Sequence, residues 1–458
     1  MLSKRGVKSA ASQDIPWRFA PGGGNRYDPL SNPSGIISFA TAENSLMHKD
    51  LHEYVDRNAV IPELAFAYRF STMGGPRFPV AMARHLNEYF KPFSPVEADQ
   101  IITASGLTAI HELVGYSLAD PGEGILVSRP VYGRFELDFG NTNGLKIVYA
   151  DMHGTDPFSA EAVIKYQEAF EKSAREGVTI RAVLIVNPHN PLGRCYSPEA
   201  LKALTSFCQK ARIHLISDEV YGLSVYDKDP KHGYDFTSVL SIDTRGLIDE
   251  DRIHIFYGLS KDFAAAGLRL GCLVTRSKLL RKAVGCNMRF HNPSGMSVAI
   301  ATGILEDRKF VSWFVDLSRQ RLRDTRDYTM QMLDSAGVKY QKPNAGFFLL
   351  IDLSPWLEES NSSNGHNREF ILAQKMLDAG VGLHPGEEHA EEEGQFRLVF
   401  TQERHTLAEG LRRLISVLAD IQLDRKRDDT SLHTAQTRIS LALNGDSLSS
   451  VRTGMMVS

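Results

Sequence analysis

The sequence predicts an α/β protein, with a large domain built on a mostly parallel sheet and a smaller α+β domain after it. Its 458 residues are enough for two or three domains. Between about residues 100 and 275, short runs rich in Val, Ile and Leu alternate with amphipathic stretches, as expected for a parallel sheet covered by helices on both faces. After about residue 300, longer helical stretches flank two isolated strand-like runs, which is typical of a second, smaller domain.

Local signals along the chain predict the individual elements. Residues 1–35 contain many Gly, Pro, Asn and Ser, which favours an extended arm and not a helix. Strands are predicted at 100–105, 124–130, 145–150, 181–187, 214–219, 254–260 and 271–275. Helices are predicted at 159–176 and 197–211. In the second of these, Ser197 is placed to cap the first turn and Pro198 occupies the first helical position.

The remaining elements belong to the C-terminal part of the chain. They are predicted as helices at 307–336 and 366–379 and strands at 344–353 and 395–400. The domain boundaries that follow are 1–60 for an arm and part of the small domain, 61–300 for the large domain, 301–422 for the small domain and 423–458 for a disordered polar tail.

Composition excludes several classes of protein. The chain carries 52 basic and 55 acidic side chains, and this near balance argues against a nucleic-acid binder. No run approaches the roughly 20 apolar residues that a membrane-spanning helix needs, and the N-terminus lacks the apolar stretch of a secretory signal. Four cysteines without a CxxC pair form no disulfide framework. We therefore expect a soluble, reduced, cytoplasmic protein.

The strongest chemical signal is a lysine that lies just past a predicted strand. Lys261 stands in GLSKDFAAAGLRLG (258–271), among small and apolar residues. Burial in such a site lowers the pKa of a lysine, which suits it to form a Schiff base with an aldehyde or ketone. Arg269 follows eight positions later and can bind a phosphate. By itself the segment is equally consistent with a surface lysine after a strand.

Three further segments place polar groups at the ends of predicted strands. Asp218 ends one strand in ISDEVYG and Tyr221 comes three residues later, and Asn190 follows another strand in VNPHNPLG. In TASGLTAIHEL, a strand leads through Ser-Gly into a helix start, an arrangement that directs backbone N–H groups at an anion. Because the carboxyl ends of parallel strands share one edge of the sheet, we expect all these groups to lie close together.

Together these segments resemble the fold-type I enzymes that use pyridoxal 5′-phosphate, specifically the class I/II aminotransferases. Within that family the chain is most similar to the branch of 1-aminocyclopropane-1-carboxylate synthases and their relatives. The resemblance runs in matching order over roughly residues 30–422 and is carried by the segments 32–44, 117–135, 258–271 and 344–353. It implies a three-layer, aminotransferase-type large domain with a smaller α+β domain, pyridoxal 5′-phosphate as cofactor, no metal ion, and a homodimer.

The resemblance also implies roles for residues around the cofactor ring. Lys261 would hold the cofactor as an internal aldimine and later move the α-proton of the substrate. Asp218 would pair with the pyridine nitrogen, and Tyr132 would stack on the ring face. Asn190 and Tyr221 would hydrogen-bond the phenolate oxygen. Taken singly, the two tyrosines could equally be core aromatics, and Asn190 and Asp218 could be turn residues.

Phosphate and substrate groups are implied in the same way. The phosphate would be bound by Gly106, Leu107, Thr108, Ser260 and Arg269. Arg397, in QFRLVF, would bind the substrate α-carboxylate in a bidentate fork, and Glu43, in ATAEN, would lie near the substrate. Each has an alternative: Thr108 could cap the following helix, Arg397 could be a solvated strand residue, and Glu43 could make a structural hydrogen bond.

The sequence departs from the family pattern at two positions and in one short run. Thr72 stands where relatives have a tyrosine that serves the partner subunit's cofactor, and Tyr68 is nearby but out of register. Gly258 replaces a serine that binds phosphate in relatives. An acidic run with five glutamates, 387–393, precedes Arg397; it is typical of a solvated loop, although it could also favour a cationic substrate.

The resemblance implies an enzyme that acts on an α-amino acid through aldimine and quinonoid intermediates. We expect an aminotransferase that also takes a 2-oxo acid. The alternatives are a cyclopropane-forming synthase or a C–S lyase that expels a β or γ leaving group, and, in another class, a non-catalytic, cofactor-binding regulatory protein. Thr72 argues mildly against the synthase, whereas Lys261, Asp218 and Arg397 argue against a non-catalytic protein.

Overall fold

A computed structural model describes residues 1–11, 25–228, 231, 233–358, 367–386 and 392–446, with side chains up to residue 427. Its strands are β1 Ile37–Ser38, β2 Ile101–Ala104, β3 Gly124–Arg129, β4 Lys146–Asp151, β5 Ile180–Val186, β6 His214–Asp218, β7 Ile253–Gly258, β8 Gly271–Thr275, β9 Lys339–Gln341, β10 Phe348–Asp352, β11 Val381–Gly382 and β12 Gln395–Val399. Its helices are α1 Lys4–Ala11, α2 His48–Asn58, α3 Phe78–Tyr89, α4 Leu107–Leu118, α5 Phe135–Gly140, α6 Val163–Arg175, α7 Pro198–Ala211, α8 Lys278–Asn287, α9 Gly295–Glu306, α10 Arg308–Ser335, α11 Arg368–Asp378 and α12 Arg404–Asp446.

A seven-stranded sheet forms the centre of the large part. Its strand order is β2-β8-β7-β6-β5-β3-β4. Strand β8 is antiparallel to both β2 and β7, whereas the other neighbouring pairs are parallel. Each of the seven strands lies within or overlaps a run predicted from the sequence, and the prediction of an α/β fold with a mostly parallel sheet is confirmed.

Helices cover both faces of this sheet, because alternate strand residues point to opposite sides. In β5, Val183 and Ile185 join a core shared with α3, α6, α7 and α9, whereas Leu184 joins a second core shared with α4, α5 and α8. The three layers follow from this alternation. Helix α7 begins as predicted, with the Ser197 hydroxyl accepting a hydrogen bond from the Ala200 N–H at 3.0 Å.

The C-terminal part is built on an antiparallel sheet of order β12-β10-β9. Its core lies between this sheet and α10, α11 and α12. The short strand β1 pairs in parallel with β11, so the chain just before α2 is joined to the C-terminal part of the molecule. This pairing carries the segment 40–43 across the edge of the large sheet.

Both ends of the chain differ from the sequence prediction. Lys4–Ala11 forms a helix without a buried residue, where an extended arm was expected; residues 12–24, which hold most of the Gly and Pro, lie outside the described residues. Helix α12 continues to Asp446, so the predicted disordered tail from 423 is helical over its first part. Among the described residues, no helix is both long and apolar enough to cross a membrane.

Candidate active site

A cavity of about 480 Å³ opens at the carboxyl ends of the parallel strands. Eleven of the twelve site residues predicted from the sequence line it: Glu43, Leu107, Thr108, Tyr132, Asn190, Asp218, Tyr221, Ser260, Lys261, Arg269 and Arg397. The twelfth, Gly106, lies directly behind Arg269. The sheet edge therefore brings together groups that are up to about 350 residues apart in the sequence.

Lys261 lies past the end of β7 with its amine inside the cavity. Its Nζ donates a hydrogen bond to the Ala42 carbonyl at 2.6 Å. Removal of the amine from water lowers its pKa to about 8, and the positive charge of Arg397 acts in the same direction. The negative charges of Glu43 and Asp218 oppose this shift. A lysine in this condition has a substantial neutral, nucleophilic fraction near neutral pH.

Asp218 ends β6 and is buried beneath the cavity. Burial raises the pKa of its carboxyl group, whereas the Val220 N–H, which donates to Oδ1 at 3.2 Å, and the nearby Lys261 lower it. The carboxylate lines the cavity. It can accept a hydrogen bond from a ligand nitrogen that carries a proton.

The start of α4 forms an anion-binding corner. Gly106 caps the helix with φ of 95°, and a Cβ at this position would lie 2.6 Å from the Arg269 guanidinium. A Cβ on Gly271 would lie 2.6 Å from the Leu107 nitrogen. Both glycines thus permit the arginine and β8 to approach the first turn, whose N–H groups have no acceptor within the helix. Ser260 adds a hydroxyl, so the corner offers the donors that a phosphate needs.

Aromatic and amide groups flank the middle of the cavity. Tyr221 is buried edge-on against the rings of Phe347 and Phe348, which fixes its hydroxyl in the cavity, and burial raises its pKa. Tyr132 packs edge-on against Phe135 at 5.2 Å, with its own pKa also raised by burial. Both hydroxyls therefore stay protonated and act as donors.

Arg397 enters the cavity from β12 in the C-terminal sheet, and it is buried. Its Nη1 donates to the Asn190 Oδ1 at 3.1 Å and its Nη2 donates to the Ala40 carbonyl at 2.7 Å. The expectation of a solvated strand residue is thereby excluded. Glu43 exposes its side chain at the cavity wall, and its carbonyl accepts a hydrogen bond from the Thr401 hydroxyl.

Sequence reasoning missed several groups of the site. His111, Arg134, Asp138 and His384 also line the cavity. His111 is four residues after Leu107 on α4, so the helical period alone would have put both on one face. His384 stands on the strand-like segment that forms a bridge with Arg397, a placement that only the tertiary structure reveals.

Another residue that the sequence analysis missed is Asp262, the residue after the lysine. It is buried, and its carboxylate accepts hydrogen bonds from the Leu223 N–H at 2.9 Å and the Ser224 hydroxyl at 2.6 Å. These bonds tie the loop of Lys261 to the loop that carries Tyr221. Burial raises the pKa of Asp262 to about 7, against the effect of its donors.

Two of the three departures now have a structural description. Gly258 pairs with Gly271 across β7 and β8, and a Cβ there would lie 2.5 Å from the Leu270 carbonyl oxygen, so a serine would not fit without moving the backbone. Thr72 lies exposed in a 3₁₀ turn, and among the described residues neither it nor the fully exposed Tyr68 lines the cavity. Most of the acidic run lies outside the described residues, but Glu393 pairs with Arg368 at 3.3 Å.

Comparison with known proteins agrees with this geometry. Residues 37–414 match the family model of aminotransferase class I and II. The chain is 32% identical over 408 residues to 1-aminocyclopropane-1-carboxylate synthase-like protein 1 of Homo sapiens, covering 86% of this chain and 78% of the relative. It is 30% identical over 407 residues to 1-aminocyclopropane-1-carboxylate synthase 7 of Arabidopsis thaliana, covering 85% and 88%.

Solved structures show the same fold. An archaeal alanine:glyoxylate aminotransferase superimposes with a TM-score of 0.69 at 21% identity, over 85% of this chain and 92% of that one. At this identity the likeness concerns the fold alone, whereas the family match spans more than three quarters of the sequence. The chain belongs to the aminotransferase class I and II family, whose members use pyridoxal 5′-phosphate.

Proposed function

We propose that this protein is a pyridoxal 5′-phosphate-dependent aminotransferase that acts on an α-amino acid and a 2-oxo acid. The observation that carries the proposal is the pairing of two groups in one cavity: an amine with a lowered pKa, Lys261, and a buried guanidinium, Arg397. An α-amino acid is complementary to both groups. Its carboxylate can bind the guanidinium, and its α-carbon, next to the carboxylate, is the atom at which the amine acts.

The described residues fit the cofactor. The corner formed by Gly106, Arg269 and the first turn of α4 supplies donors for its phosphate. In the same cavity, Asp218 supplies a buried carboxylate for its ring nitrogen, and Asn190 and Tyr221 supply donors for its phenolate oxygen. When bound, pyridoxal 5′-phosphate supplies an electron-accepting ring that stabilises negative charge at the substrate α-carbon.

Arg397, Lys261 and the segment 40–43 have different roles in this proposal. Arg397 would hold the α-carboxylate and so orient the α-carbon in the cavity. Lys261, with a pKa of about 8, takes the α-proton when its amine is neutral and can return a proton when it is charged. The segment 40–43, which holds Lys261 through the Ala42 carbonyl, narrows the access of water to that amine.

Cyclisation or elimination is the second candidate function. It is supported by the similarity to relatives whose names contain cyclopropane synthase, and by the position of the Glu43 side chain in the cavity. The holoenzyme should be incubated with a pool of amino acids and 2-oxoglutarate, while glutamate, ammonia and thiol release are followed. Glutamate supports transamination, whereas ammonia or thiol without glutamate would overturn it in favour of a lyase.

Capture of the cofactor should depend on pH through the lysine. The protonated amine cannot attack an aldehyde, so the capture rate of the apoprotein should rise ~10-fold per pH unit below pH 8 and level off above it, since the pKa of Lys261 is about 8. Stopped-flow absorbance after mixing with pyridoxal 5′-phosphate measures this rate. A plateau that begins only near the ordinary lysine pKa would contradict the lowered value.

We also propose that the protein is a homodimer. Apolar side chains between 68% and 80% exposed lie on one segment and on a turn beside it: Val60, Leu64, Phe66 and Phe290. The two parts of the chain adjoin each other: the Ser71 hydroxyl, after the segment, donates to the Pro293 carbonyl, after the turn, at 2.6 Å, and a Cβ on Gly295 would collide with the Ala65 carbonyl oxygen. A patch of this kind on a soluble protein is typical of a subunit interface.

The dimer should dissociate when charges enter this patch. The double variant Phe66→Asp with Phe290→Asp is expected to elute as a monomer, because two unpaired carboxylates would be buried in the interface. Light scattering after size-exclusion chromatography measures the mass. Ile164→Asp, at an exposed apolar residue of α6, serves as the control and should leave the dimer intact. A wild-type protein that is monomeric at micromolar concentration would overturn the proposal.

A further inference from the structure

His111 occupies a fixed position on the inner face of α4. The residue is only 3% exposed. Its ring is enclosed by three aromatic rings, with centroid distances of 5.3 Å to Phe135 and 5.4 Å to both Phe139 and Phe256. Because the ring is packed among these aromatic side chains, its polar contacts are made by the two ring nitrogens. The function of His111 therefore depends on the groups that these nitrogens face.

The two nitrogens face two different carboxylates. Nδ1 lies 2.7 Å from the Asp138 Oδ2, which is a hydrogen bond. Nε2 lies 3.9 Å from the Asp218 Oδ2, which is too long for one. Within the described residues, Nε2 is buried without any hydrogen-bond partner. An unsatisfied buried nitrogen is costly, and the feature that distinguishes this one is its position beside a carboxylate oxygen that lines the cavity.

The effect of this arrangement on Asp218 depends on the charge of the His111 ring. An imidazole can donate from both nitrogens only in its protonated form. With Nδ1 hydrogen-bonded to Asp138, a positive charge on the ring would lie against Asp218. Burial raises the pKa of Asp218, and the charge of His111 is the largest of the interactions that lower it again. The other titratable groups around Asp218 are Lys261, Tyr132, Tyr221 and Glu219.

We propose that His111, oriented by Asp138, is a positioning residue that keeps Asp218 ionised where the cofactor ring nitrogen binds. The inference rests on the proposed function, in which Asp218 pairs with that nitrogen. An ionised Asp218 keeps the ring nitrogen protonated, which is the condition under which the ring withdraws electrons best. His111 therefore acts on the reaction through Asp218 and not by touching the substrate.

The experiment measures the protonation of the cofactor ring nitrogen directly. Wild type, His111→Phe and His111→Gln are loaded with ¹⁵N-labelled pyridoxal 5′-phosphate, and the ¹⁵N chemical shift is followed between pH 6 and 9. Phenylalanine keeps the aromatic packing, and glutamine provides a smaller neutral side chain should the first variant fail to fold. We expect the ring nitrogen to lose its proton at a pH at least one unit lower in both variants, with kcat reduced ~10–100-fold and the KM of the amino acid within ~3-fold. Asp138→Asn should shift the titration in the same direction by less.

Two results separate this inference from the proposed function. His254→Phe, at a buried histidine near the start of β7 that is not among the described residues lining the cavity, is the matched control and should leave the ring nitrogen unchanged. An unchanged titration in both His111 variants, in a protein whose cofactor band still depends on Lys261, would overturn the role of His111 and leave the proposed function standing. If the wild-type protein bound no cofactor through Lys261, the proposed function and this inference would both be wrong.

Discussion

The Lys261→Ala protein is expected to purify without the visible absorbance of bound pyridoxal 5′-phosphate, and to have kcat lower by ~10³-fold or more. Among the described residues that line the cavity, Lys261 is the only lysine, and its amine already lies inside without an ion-pair partner of its own. Alanine removes both the point of attachment and the group that moves the substrate proton. Absorbance spectra of the purified protein and steady-state kinetics measure the two effects.

Lys282→Ala, at an exposed lysine of α8, is the matched control and should keep both the absorbance and the activity. Reduction of the wild-type protein with borohydride, followed by peptide mass mapping, should place the cofactor on the peptide that contains Lys261. An Lys261→Ala protein that keeps the visible band would reject the assignment. Melting temperatures within a few degrees of wild type would show that the fold is intact.

The parts of the site that could be predicted from the sequence are those in which a strand and its following loop carry the signal together. Asp218 ends β6 and Tyr221 lies three residues later, Asn190 follows β5, and Lys261 follows β7, so locating the strands also located these residues. Because parallel strands end at one edge, the sequence also predicted that they would meet. The structure brings all four to one cavity.

The remaining groups depend on distances that no local pattern encodes. Whether His111 meets Asp218 depends on how α4 is oriented against its neighbours, and this is set by Phe135 and Phe139 of α5 and by Phe256 of β7. The helix at Lys4–Ala11 was missed for another reason. The prediction was based on the Gly- and Pro-rich composition of residues 1–35 as a whole, and it did not treat these eight helical residues separately.

Gly258 illustrates a third limit. From the sequence it was a lost phosphate ligand, because a serine is found there in relatives. In the structure it is a contact between strands, since the Leu270 carbonyl occupies the place of a side chain. A residue's chemistry can be inferred from its type, but the space around it is a property of two strands that are only paired in the folded chain.

Arg397→Leu is expected to raise the KM of α-amino acids ~100-fold or more, because a buried guanidinium that forms paired, charge-assisted bonds to a carboxylate is lost. The decisive comparison is with an amine that lacks the α-carboxylate. Wild type should strongly prefer the amino acid over this amine, and the leucine variant should lose most of that preference. Arg397→Lys should lie between them, since lysine keeps the charge but not the planar fork.

The Arg397→Leu substitution also removes two hydrogen bonds within the protein. Arg397 donates to the Asn190 Oδ1 and the Ala40 carbonyl, so leucine leaves both acceptors without that donor and could disturb the cofactor pocket. Arg413→Leu separates this effect, because Arg413 is likewise buried and bonds the Gly35 carbonyl of the same N-terminal segment without lining the cavity. It should lower the melting temperature while leaving the preference for the carboxylate intact. If Arg397→Leu retained that preference with cofactor bound, carboxylate recognition would have to be assigned to another cation of the cavity.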